Sequence, residues 1–362
     1  MKYTKAGKEI EIFYLSEKDF FSQQFKDFVN SEGFSKFLHS ENDVELFEKR
    51  IRRINLYRSY LDVKVLGATV NGRFVGQSCA FRSVVVANGV RREWWWSVDT
   101  FLLQECRGLG IGKALQEKFH QDLPNFSSAW YTPINGIIKE KCGAHGIFDI
   151  WFNYYPVSSC LTVFGDLCFR KVFKRPFPLR ISIPFLYSGI NSLFTDVTLK
   201  GYKVSEVEYE DLGNKESDFM EAALSNRGFH IERSLHFLKW KYRNLKAGYY
   251  MLRIENNSKT EAVVAFSKIY ESKFDVVPIK CVAIYDLVIS PESRLTVKQL
   301  LLYVAQWYKR RKESFDGFQM LEKISYLGRL NYPFHACKVL STIEGNFKNA
   351  YLTLADQDMD QI

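Results

Sequence analysis

Arg107-Gly108-Leu109-Gly110-Ile111-Gly112-Lys113 is the stretch whose residue types and spacing point most directly to chemistry. Three alternate glycines remove Cβ atoms where a main chain can close on a ligand. The apolar run 94–103 before it has the length and the aromatic, branched content of a buried strand. After it, Ala114, Leu115, Phe119 and Leu123 fall near helical spacing with charged residues between them. Strand, glycine loop and helix together form the arrangement in which backbone N–H groups and a helix N-terminus hold a phosphate.

Two familiar phosphate loops do not fit. A Walker A loop ends in Gly-Lys-Ser/Thr, whereas Lys113 is followed by Ala114, which has no hydroxyl for a metal ion. A dinucleotide fingerprint is Gly-x-Gly-x-x-Gly in the first βαβ unit; here the spacing is Gly-x-Gly-x-Gly, about 100 residues into the chain. A third pattern, Arg/Gln-x-x-Gly-x-Gly/Ala, is matched residue by residue by Arg107, Gly110 and Gly112. In this the chain resembles the GNAT acyltransferases, whose loop of this form binds acetyl-CoA. The plainer alternative is a glycine-rich turn without a ligand.

A chain of 362 residues exceeds the usual size of a single core, so two domains of about 180 residues each are expected. Hydrophobic residues at 46% and charged residues at 25% exclude a disordered or fibrous chain. The net charge of +9 suits phosphorylated ligands or an anionic surface, and the dispersed basic residues with no nucleic-acid motif speak against a nucleic-acid partner. Seven cysteines form no Cys-x-x-Cys pair, which argues for reduced thiols in a cytoplasmic setting and against a disulfide frame or metal site. No signal-peptide core and no apolar run of membrane-spanning length occurs.

The element pattern extends the resemblance. A strand at 9–15 precedes helices at 19–39 and 44–60. Strands at 61–70 and 74–81 form a hairpin about Asn71-Gly72, and strands at 81–86 and 90–103 follow. Then come the loop, a helix at 111–122, a strand at 128–132, a short helix at 135–142 and a strand at 147–157. That order resembles the GNAT fold, an α+β arrangement with a central, mostly antiparallel twisted sheet flanked by helices. The second half resembles it again: helices at 218–223 and 234–242, strands at 249–255, 262–270 and 282–289, and a helix at 297–311. Its counterpart of the loop, Pro291-Glu292-Ser293-Arg294-Leu295-Thr296, has no glycine. The expected layout is therefore two GNAT folds in tandem: 1–170 with the loop, a basic and aromatic segment 171–196, and a degenerate copy at 197–362. Segment 171–196 combines cations with phenylalanines and three prolines, a composition that serves either a linker or contact with an anionic membrane face. Residues 235–243 and the acidic end, 351–360, resemble elements of tandem GNAT proteins of bacterial polysaccharide and cell-envelope synthesis.

The resemblance implies a site. Acetyl-CoA would lie with its phosphates on the amides of Arg107, Gly108, Leu109, Gly110, Ile111 and Gly112, with Lys113 adding charge. Its carbonyl would meet a backbone N–H of Leu102 or Leu103, and Asn135 would help hold the pantetheine arm. Many relatives place a tyrosine acid four residues before the glycine that matches Gly143; Lys139 stands there instead. Asp99 is the only carboxylate at 94–103 and is a candidate base, sharing by strand alternation a face with Ser97 and Phe101. His145 and Asp149 are alternative bases, and Tyr131, Tyr154 and Tyr155 are candidate acids. Cys106 lies beside the loop without a partner that would make it a nucleophile, and Asp286 marks the matching strand of the second half. Each of these has a structural alternative in packing or hydrogen bonding. The expectation is direct acetyl transfer to a small-molecule amine, an amino sugar carried on a nucleotide or lipid, at the cytoplasmic side and with no metal. Aminoacyl transfer of the FemABX kind and a non-catalytic binding role are the alternatives.

Overall fold

The computed structural model describes residues 1–31, 48, 54–55, 58–129, 131, 133–156, 199–245, 248–274, 277–313, 315–322, 332–342, 347 and 350–352. Segment 171–196 and the acidic end beyond 352 lie outside the described residues, as does most of the expected helix at 44–60.

The elements in chain order begin with β1 (Lys2–Lys5), β2 (Lys8–Tyr14), α1 (Glu17–Phe20), α2 (Gln23–Val29), β3 (Val63–Val70), β4 (Arg73–Ala87) and β5 (Val90–Leu102). They continue with α3 (Ile111–Asp122), β6 (Phe126–Ser128), α4 (Pro133–Lys141), β7 (His145–Pro156), β8 (Lys203–Glu206), α5 (Asn214–Leu224), β9 (Phe229–Ile231) and α6 (Leu235–Arg243). The last are β10 (Tyr249–Asn256), β11 (Lys259–Ser267), β12 (Tyr270–Phe274), β13 (Val277–Ile289), α7 (Val297–Arg310), β14 (Gly317–Glu322), β15 (Tyr332–Ser341) and β16 (Ala350–Tyr351). The expected helix at 19–39 is broken at Phe21, because Ser16 and Ser22 each cap a separate short helix with their side chains. β1 is a strand absent from the sequence reading.

The chain divides into two compact units, Met1–Asp149 with Cys337–Lys348, and Ile150–Ala336 with Asn349–Ile362. In the first, β1 to β5 form an antiparallel meander. β6 then runs parallel to β5, with Trp95 opposite Phe126 and Trp96 opposite Ser127. The far side of β6 is taken by the end of β15, Leu340 opposite Ser128, antiparallel. Trp94, Trp95 and Trp96 are all buried, as expected of a strand covered on both faces. α2 packs Phe25 and Phe28 against Phe74 and Phe101 on one face. On the other, Phe119 of α3 meets Tyr14 and Phe126.

The second unit repeats the scheme. β10, β11 and β13 are antiparallel neighbours, β14 runs parallel to β13, and β7 lies antiparallel on β14 from Gly317–Pro156 to Glu322–Trp151. α7 supplies Leu300, Leu301, Val304 and Trp307 to a core that includes Phe266 and Ile284. Each unit thus has an antiparallel meander, a crossover helix, and a parallel strand flanked by an antiparallel one.

Candidate functional site

The approach to the loop is a short 3-10 turn, Gln104–Cys106, closed by Cys106 N–H donating to Leu103 O at 3.0 Å. Gly108 and Gly110 then take left-handed conformations, φ 85° and 82°, which an L side chain adopts only under strain. Nothing lies within 4 Å of where a Cβ on Gly108 would stand, so this glycine is not demanded by packing. Gly110 is the N-cap of α3, with no side-chain cap and no acidic residue in the first turn. The first helical hydrogen bond is Ala114 N–H to Gly110 O. The amides of Ile111, Gly112 and Lys113 are therefore left without an acceptor inside the helix. Lys113 points along the helix to Glu117, 3.0 Å away, and Arg107 is exposed.

The matching helix start of the second unit is built the opposite way. Thr296 Oγ1 accepts from Gln299 N–H, and Gln299 Oε1 accepts from Thr296 N–H at 2.9 Å, a complete capping box. Side chains fill there the place that glycines leave open before α3.

β5 carries a bulge beside the loop. Its register against β4 moves from Cys79–Val98 to Gln77–Phe101, and the extra residue brings Asp99 to φ 49°. The bulge overturns the simple alternation expected for Ser97, Asp99 and Phe101. Ser97 receives a hydrogen bond from Lys139 of α4, while Phe101 packs on Phe28 of α2. Behind the bulge, Ser78 and Thr100 hydroxyls lie 2.7 Å apart, and Gln116 of α3 donates to both. Asp99 itself is half-buried, and its carbonyl accepts from Gln77.

Of the two amides expected to meet a thioester carbonyl, Leu103 N–H is committed to Val75 O at 2.8 Å. Successive strand N–H groups alternate in direction, so Leu102 N–H faces the opposite edge of β5. Among the described residues β6 covers that edge only at Trp95 and Trp96, so past them it opens. Lys139, almost wholly buried, donates to Ser97 Oγ of β5 and to Ser128 Oγ of β6, bracing the two strands where they part.

The remaining candidates stand in different settings. Asn135 sits half-buried on α4. The ring of Tyr131 presses on Gly136 so closely that a Cβ there would stand 2.6 Å from it. His145 is exposed at the start of β7, as is Asp149. Cys106 is buried, and burial raises its thiol pKa, which leaves it a poor nucleophile. Lys5 is a residue that sequence reasoning missed: its Nζ lies 3.5 Å from the Cβ position of Gly110. No spacing rule could find it, because the pairing of β1 brings it there.

Asp286 of the second unit is fully buried in a closed network. It accepts from Arg233 Nη2 at 2.9 Å and from Tyr242 OH at 2.6 Å, next to a bulge at Tyr285 in β13. Burial, with the Asp286 charge second, raises the Tyr242 pKa far above its usual value. The three form a structural core there. Among the described residues no cluster of His, Cys, Asp and Glu is suited to hold a metal ion, and no helix is long and apolar enough to cross a membrane.

No protein-family model matches the chain, and no curated protein matches it in sequence. Solved structures do. A GCN5-related N-acetyltransferase from Anabaena variabilis is 12% identical with a TM-score of 0.58, over 92% of this chain and 72% of that one. A conserved protein of unknown function from Enterococcus faecalis, described as a probable N-acyltransferase, aligns with the same values. The N-myristoyltransferase of Saccharomyces cerevisiae with bound myristoyl-CoA is 9% identical with a TM-score of 0.50, over 93% of this chain and 84% of that one. At such identities the likeness shows the GNAT fold.

Proposed function

We propose that this chain is an N-acetyltransferase that draws on acetyl-CoA and serves a small-molecule amine, an amino sugar carried on a nucleotide or lipid in cell-envelope polysaccharide synthesis. The observation that carries the donor is the contrast between the two helix starts: glycine-lined and uncapped at α3, fully capped by Thr296 and Gln299 at α7. Acetyl-CoA fits the first, because the unfilled space at Gly108 and the acceptorless amides of α3 suit a diphosphate. When bound it supplies an activated thioester.

The chain's own residues supply the rest. The amides that follow Gly108 and Gly110 hold the diphosphate, and Leu102 N–H faces the open edge of β5, where it can polarise a carbonyl. Asn135 and the braced fork of β5 and β6 position the arm. Asp99, at the bulge beside the Ser78, Thr100 and Gln116 cluster, anchors the amine or takes its proton, with His145 as the alternative base. Tyr131 is the acid candidate on the α4 side.

A titration calorimetry experiment with acetyl-CoA on the wild type and on Gly110→Asp tests the donor. Micromolar binding that the variant loses supports it, and no binding by folded wild type overturns it. A panel of nucleotide-linked amino sugars and simple amines, scored by thiol release, then tests the acceptor. A second reading, a longer acyl donor, is favoured by the likeness to N-myristoyltransferase; a series of acyl-CoAs of rising chain length separates the two.

A further inference from the structure

We infer that the N-terminal hairpin is part of the donor site, and that Lys5 is a ligand of the diphosphate held by the glycine loop; this rests on the donor reading above. β1 and β2 close over the turn Ala6-Gly7, with φ 52° and 73°, which sets Lys5 opposite Lys8. The strand is anchored ahead of Lys5. Tyr3 lies opposite Ile10 and Thr4 opposite Glu9 of β2, and Tyr3 is half-buried close enough to α3 for Glu117 to act on its hydroxyl. Lys5 is therefore delivered to the loop by a fixed element rather than by a loose tail.

Its surroundings suit an anion. The ammonium stands over Gly110, at the positive end of α3, whose first turn holds no acidic residue. No ion pair involves Lys5 among the described residues, whereas Lys113 is already matched by Glu117. Further cations collect at the same end of the sheet. Lys8 and Arg73 both lie near enough to Cys106 to draw on its thiol, and Arg107 is exposed beside them. Glu105 is the one carboxylate in the loop, and it too acts on Cys106. A cation set against a helix N-terminus and opposite another cation, Lys8, is unfavourable by itself. A diphosphate on the loop amides reverses the sign of every one of these terms.

The test is calorimetric titration with CoA on the wild type, Lys5→Gln, Lys5→Arg and, as a control on the same strand, Lys2→Gln. Lys5→Gln is expected to weaken binding about tenfold, the scale of one charge-assisted hydrogen bond. Lys5→Arg recovers most of the loss, and Lys2→Gln changes nothing. The ligand-free Lys5→Gln protein melts no lower than the wild type, because a repulsion is removed. Dephospho-CoA, which keeps the diphosphate and lacks the ribose phosphate, shows the same tenfold penalty. Unchanged CoA binding in Lys5→Gln overturns the inference and leaves the donor reading intact, and a penalty that vanishes with dephospho-CoA overturns the placement on the diphosphate. Failure of the wild type to bind CoA removes both.

Discussion

Lys139 Nζ donates to Ser97 Oγ across 3.0 Å, one residue beyond the last β5–β6 pair. The same ammonium reaches Ser128 on the partner strand, so one buried cation fixes the angle at which the sheet opens. Lys139→Met keeps the length of the side chain and removes these bonds. Urea unfolding is expected to show a loss of about 1–3 kcal/mol, the cost of stranding buried polar groups. Acetyl-CoA binding should fall with it if the fork holds the arm.

Gly108 and Gly112 separate strain from access. Gly108→Ala places a Cβ in open space but at φ 85°, so it should cost about 1–2 kcal/mol in stability. Gly112 has no such φ, and a Cβ there meets only Ile138 at 3.8 Å. Gly112→Ala should therefore fold as well as the wild type or better, since alanine is the stronger helix former. If the amide of Gly112 holds a diphosphate, the added methyl should crowd it and weaken CoA binding. Equal CoA affinity in Gly112→Ala would count against a ligand at the loop.

Asp286 offers a test of a structural role against a chemical one. Asp286→Ala leaves the fully buried Arg233 without its carboxylate, and a loss of about 3–5 kcal/mol is expected on denaturant unfolding. Tyr242→Phe removes one bond to the same carboxylate and should cost about 1–2 kcal/mol. Neither change should alter acetyl-CoA affinity in protein that remains folded.

His120 gives the first unit a pH dependence. Burial holds its pKa below the ordinary 6.5, although its Nδ1 lies 2.9 Å from Cys142 O. The folded protein thus keeps the ring neutral while the unfolded chain takes up a proton as the pH drops past 6.5. The His120 contribution is complete above that value and is lost on acidification below it. Urea midpoints measured from pH 7.5 down to pH 5 should fall more steeply for the wild type than for His120→Gln.

Local signals were the legible ones. The loop at 107–113, the helix after it and the strand before it follow from glycine spacing and apolar periodicity within some 30 residues, and all three stand where the pattern put them. The bulge was not legible, because Asp99 adopts a left-handed conformation that nothing in its neighbours announces. Ser22 does carry a capping signal, and it could have divided the helix read at 19–39. Lys5 over Gly110 and Lys139 between Ser97 and Ser128 are tertiary pairings, fixed by strand register and helix docking.

The strand that finishes each sheet also sets an order of events during synthesis. The first unit's sheet needs Leu340 and Ser341 on the far side of β6, so it stays open until those residues have left the ribosome. The second unit waits in the other sense: β7 emerges early, long before β14, the strand it pairs with, has been made. Contacts so distant in sequence carry a large loop-closure cost and slow folding. Halves expressed separately should each show an uncovered sheet edge and aggregate. Mixed during refolding, they should complement one another, a behaviour that neither half would show alone.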